Sequence, residues 1–94
     1  MKNERMEKFE NWSNPAKGLY RYVVSAGACY EVIIMYEDLK NHDEPVKANL
    51  YLTGSWTKAL DNTTYFSREL LLENATIEEC VKAAVEEDES YNEA

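Results

Sequence analysis

Hydrophobic and polar positions along the chain recur with two periods, and each period predicts its own kind of element. From Leu19 to Ser25 the period is two. Tyr20, Tyr22 and Val24 fall on one face and Leu19, Arg21 and Val23 on the other, as in a half-buried strand. Residues 29–37 are denser in apolar side chains. Tyr30, Val32, Ile34 and Tyr36 point one way and Cys29, Glu31, Ile33, Met35 and Glu37 the other, which predicts a central strand. Val46 to Thr53 alternates cleanly, with Val46, Ala48, Leu50 and Leu52 inward and Lys47, Asn49, Tyr51 and Thr53 toward solvent. Residues 63–72 read as a fourth strand, although Leu70-Leu71-Leu72 also suits the start of a helix. Ala26-Gly27-Ala28 is a tight connection, residues 38–45 a polar loop, and Gly54 to Asn62 a long connection containing Trp56.

The two ends carry helical spacing. Residues 2–12 predict a short helix capped by Asn3, with Met6 and Phe9 on one face and a Glu4–Lys8 pair on another. Ser13-Asn14-Pro15 ends it, because a residue before proline is pushed out of the α region. Near the C-terminus, Thr76-Ile77-Glu78-Glu79 is a capping box. Ile77, Cys80, Val81, Ala84 and Val85 then form one apolar stripe, predicting a helix to about Asp88. Residues 89–94 are expected to fray as an acidic tail. The order is α-β-β-β-β-α, with no βαβ crossover. That predicts a two-layer α+β domain spanning 1–94, with an antiparallel sheet of three to four strands and both helices on one face.

Composition narrows the function. The 94 residues hold 10 Lys and Arg against 18 Asp and Glu, a net charge of −8. That excludes the usual basic nucleic-acid binder, which needs cations to displace counterions from phosphates. No apolar run approaches the ~20 residues of a membrane span. No apolar stretch follows Met1–Arg5, so the expectation is a cytoplasmic chain without a signal peptide. In that setting Cys29 and Cys80 are expected to be reduced, buried packing thiols. The lone histidine, His42, sits among Asn41, Asp43 and Glu44 in the polar loop, where adjacent residues do not converge on a metal. The glycines at 18, 27 and 54 are too scattered to cradle a phosphate. The reading is of a protein that is not an enzyme and takes no cofactor or metal.

Charge is gathered at one end. Residues 1–50 carry a net −1 and residues 51–94 a net −7. Glu78, Glu79, Glu86, Glu87, Asp88 and Glu89 make the last helix negative, with only Lys82 among them. Such a surface is either a solvated helix face or an attractor for a basic partner. The chain also has seven tyrosines and two tryptophans, more than one small core holds. Tyr51, Tyr65 and Trp56 are the candidates to anchor a contact, because Tyr and Trp supply large area at low entropy cost.

On the acidic run Glu86-Glu87-Asp88-Glu89 and the Tyr-rich strands, the chain resembles small phage-encoded anti-defence inhibitors, including anti-CRISPR proteins and DNA mimics. The resemblance lies in size, charge and element order. It implies a non-catalytic inhibitor whose carboxylates stand in for phosphates on a nuclease or surveillance complex. The partner would be a basic protein surface, with no direct contact to nucleic acid or membrane. The alternative is a structural domain that dimerises through its sheet, using an open edge or the face carrying Ile33, Met35 and Tyr51.

Overall fold

The computed structural model describes residues 3–25, 27–35, 47–57 and 59–92. His42 and the rest of the polar loop, with Tyr36 and Val46, lie outside them. The N-terminal segment makes one turn of helix, α1 (Glu4–Glu7), then a 3-10 turn at Phe9–Asn11. Asn3 caps α1 as expected, its Oδ1 accepting from the Met6 amide at 3.1 Å. The helix expected over 2–12 stops early, with Lys8 extended at φ −93° and ψ 108°. The reason lies in competing donors. Asn11 Nδ2 donates to the Arg5 carbonyl at 2.9 Å, and the buried Trp12 indole donates to the Met6 carbonyl at 2.9 Å. A continuous helix would give those carbonyls to backbone amides. The break lets Phe9 meet Tyr20 with the rings tilted by 49° (centroids 4.6 Å apart) while Trp12 reaches Tyr22 (5.8 Å).

Five antiparallel strands come next, in sequential order: β1 (Ser13–Ala16), β2 (Leu19–Ser25), β3 (Ala28–Ile34), β4 (Lys47–Thr57) and β5 (Thr64–Thr76). Five is one more than the most expected. The unexpected strand is β1, which contains Pro15. A proline lacks the ladder N–H but is tolerated on an edge, and β1 is an edge. A two-residue turn, Lys17-Gly18, returns the chain to β2, with Gly18 at φ 78°. Helix α2 (Ile77–Asn92) closes the chain, extending beyond Asp88.

The β4–β5 hairpin is the second departure. Gly54–Thr57, expected in a connection, continues β4 and pairs with Thr64–Ser67. The β-branched rung Thr57–Thr64 closes it through a hydroxyl–hydroxyl bond of 3.0 Å. Leu70-Leu71-Leu72 is strand, not helix. Its broken periodicity comes from bulges. Leu70 pairs with Tyr51 and Leu72 with Leu50, so Leu71 is an inserted residue. A second irregularity places Asn74 at φ 53°, where its amide donates to Asn49 Oδ1 at 2.9 Å. Past Ala28, where β3 ends against Gly54, the hairpin continues as a two-stranded arm. The molecule measures 52 × 30 × 20 Å, with a radius of gyration of 14.4 Å. A compact chain of this length would have about 12 Å.

Helix α2 lies over the sheet face carrying Tyr30, Val32, Ala48 and Leu50, all buried, and contributes Cys80, Val81, Ala84 and Val85. The expected apolar stripe is therefore the one buried. Met6 and Trp12 complete this core. Cys29 and Cys80 are unbridged and buried. Among the described residues, no helix is long and apolar enough to cross a membrane.

Candidate functional site: an acidic groove beside the C-terminal helix

The capping box forms as expected. Thr76 Oγ1 accepts from the Glu79 amide at 3.1 Å and donates to Glu79 Oε1 at 3.0 Å, while the Thr76 amide reaches the same oxygen at 3.2 Å. The Thr76 amide, then its hydroxyl, hold the Glu79 carboxyl below the usual glutamate range. Glu79 is thus committed to the helix start. From that fixed origin, the helical repeat spreads the other carboxylates over the outward half of α2. Glu78, Glu86 and Glu89 turn toward the N-terminal segment, and Glu87 lies on the opposite flank. Asp88 comes off the core-facing stripe and lines a depression with Leu52, Ser67, Arg68 and Glu69.

Where α2 passes the N-terminal segment, the two leave a groove of about 380 Å³. Its floor is apolar, made by Phe9, Ile77, Val81 and Val85, and its rim carries Glu7, Glu78, Glu86 and Glu89 with Lys82 the single cation. Among the described residues, no salt bridge ties Glu78, Glu86 or Glu89 to a cation, although Lys82 shares their rim. Arg21 and Arg68 instead pair with Glu31, across the sheet. Carboxylates ringing an apolar floor suit the aliphatic stem and charged head of a Lys or Arg side chain. Sequence reading singled out Glu78, Glu86 and Glu89 but missed Glu7 and Phe9. Their place on this groove depends on the break at Lys8, which no local periodicity signals.

The aromatic candidates do not join these acids. Tyr51 lies on the sheet face opposite α2. The Arg68 guanidinium covers its ring at 4.0 Å from the centroid and also approaches Glu31 Oε1 at 3.9 Å. Glu31 Oε2 meets Arg21 Nε at 3.3 Å, so one stack of side chains crosses four strands. Tyr65 sits on the arm, its hydroxyl donating to Asp61 Oδ2 at 3.2 Å. The Asp61 carboxylate also accepts from the Thr63 amide at 2.9 Å, and that bond leads the causes holding its pKa below the usual aspartate value. Trp56 belongs to β4, and its side chain lies outside the described residues. The expected single patch of acids plus tyrosines is therefore divided among a helix groove, the opposite sheet face and an arm. Among the described residues, no group of three His, Cys, Asp or Glu side chains converges to hold a metal.

Comparison with family models, with curated proteins and with solved structures found no match, so the site is read from its own geometry.

Proposed function

We propose that the chain is a non-catalytic, protein-binding inhibitor that presents the α2 groove to a basic surface. The target class is a nucleic-acid-handling complex such as a CRISPR-Cas nuclease or surveillance complex, whose phosphate-binding channel supplies the cations. One observation carries this reading: among the described residues, Glu78, Glu86 and Glu89 ring an apolar floor with Lys82 the single cation beside them. Concentrated negative potential of this kind speeds encounter with a cationic groove and rejects partners of like charge. Tyr51 and Tyr65 lie away from this groove, and Phe9 is the aromatic side chain on its lining.

The test is binding of purified complexes to the immobilised protein, with and without their nucleic acid. Bound nucleic acid should block association. Glu86→Lys with Glu89→Lys should slow association and leave the fold intact, because exposed charges add little to stability. Glu87→Lys, on the opposite flank, should change association less. If no such complex binds at low ionic strength, the proposal fails.

A further inference from the structure

The five-stranded sheet has two edges, and their chemistry differs. β1 is protected. It has four residues, Pro15 contributes no N–H, and Asn14 Nδ2 occupies the carbonyls of Ala16 and Leu19, both at 2.8 Å. β5 has no such device along its outer half. From Thr64 to Leu70 it pairs with β4 without a register shift, and it holds no Pro, Gly or bulge there. On its other side no described strand pairs with it. Phe66 and Leu70 are 79% and 45% exposed and share the face of Tyr51. A regular, exposed, partly apolar edge is a template for another strand.

We infer that the occupant of this edge is a second copy of the chain, paired antiparallel through Thr64–Leu70 in a two-fold dimer with one continuous sheet. The segment's midpoint is Ser67, and a two-fold axis there gives full overlap. That register sets Phe66 opposite Arg68 of the other copy and Tyr65 opposite its Glu69, so unlike partners meet. Shifting the axis to Arg68 or Glu69 would set like charges directly opposite, which is unfavourable. Thr64–Leu70 is itself neutral, with one Arg and one Glu, although the chain carries −8. The segment therefore brings no net charge of its own to the seam, while α2 approaches it through Asp88, which lines a depression with Ser67, Arg68 and Glu69. This inference does not depend on the groove proposal, since the edge and the groove share no residue.

The experiment is sedimentation velocity from low to high micromolar concentration, joined to disulfide trapping. A dimer of twice the 10.9 kDa chain is expected. Phe66→Lys with Leu70→Lys should weaken it by at least about tenfold with an unchanged circular-dichroism spectrum. Ser67→Cys should form an intermolecular disulfide on mild oxidation, because directly opposed residues sit about 4.5–5.5 Å apart at Cα, within bridging reach. Tyr65→Cys should not, since its opposite is Glu69. A chain that stays monomeric and untrapped overturns the inference. So does a dimer that survives the double lysine variant, because that dimer uses another surface.

Discussion

Gly27 offers the most direct check on how the arm is held. It sits in the β2–β3 turn at φ 84°, and its carbonyl accepts from the Ser55 amide at 2.7 Å. A Cβ at this position would lie 2.4 Å from the Ser55 carbonyl oxygen. Gly27→Ala therefore carries two costs. The left-handed conformation costs a non-glycine residue about 1–2 kcal/mol. The contact must open by roughly an ångström against strand backbone held in register, which adds strain of about 1–3 kcal/mol. The sum, about 2–5 kcal/mol, is a large share of the roughly 5–14 kcal/mol available to a domain of this size. Equilibrium urea unfolding, monitored by far-ultraviolet circular dichroism, measures it. Two companions separate the causes. Gly27→Asn tolerates the backbone better but keeps the clash, so it should recover only part of the loss. Gly54→Ala has no positive φ, and its nearest contact is the movable Ser67 Oγ at 3.1 Å, so it should cost clearly less. A Gly27→Ala variant within about 0.5 kcal/mol of the parent would refute the close approach, since surface changes away from such features fall in that range.

The same geometry sets further outcomes. Ala84→Asp places a carboxylate at a fully buried position and should unfold the domain, lowering the urea midpoint or abolishing the transition. Thr76→Ala removes the hydroxyl half of the capping box and should cost about 1 kcal/mol by the same assay. The Glu79 carboxyl is held below its ordinary value, so its contribution is complete above the unfolded glutamate range and fades as pH falls through the folded value. The stability difference between parent and Glu79→Gln should therefore shrink below about pH 4.5, and a constant gap would count against the cap. Burial first, then the nearby Glu79 charge, pushes the Cys80 thiol up to about 11. It should react with thiol reagents only as fast as the protein opens, and its stabilising share should fade as pH rises past its unfolded value through 11. Immediate labelling of the native protein at pH 8 would contradict its burial.

Short-range repetition in the sequence was enough to determine several elements by itself. Period-two alternation placed β2, β3 and the first part of β4 and assigned their faces, because a strand sends successive side chains to opposite sides. The capping box and the spacing of Ile77, Cys80, Val81, Ala84 and Val85 located α2 and its buried stripe for a similar local reason. The acids of the groove rim, Glu78, Glu86 and Glu89, were legible as charge. Tertiary structure alone decided the rest. Side-chain donors from Asn11 and Trp12 broke the N-terminal helix and thereby opened the groove that Phe9 and Glu7 help to line. Bulges at Leu71 and Asn74 disguised β5, since an inserted residue reverses the phase that pattern reading depends on. Pro15 hid β1, because only its edge position makes a proline acceptable in a strand. Tyr51 looked like a free aromatic until Arg68, distant in sequence, lay across it. Each of these depends on atoms brought together by the fold, and a local pattern contains no term for such contacts.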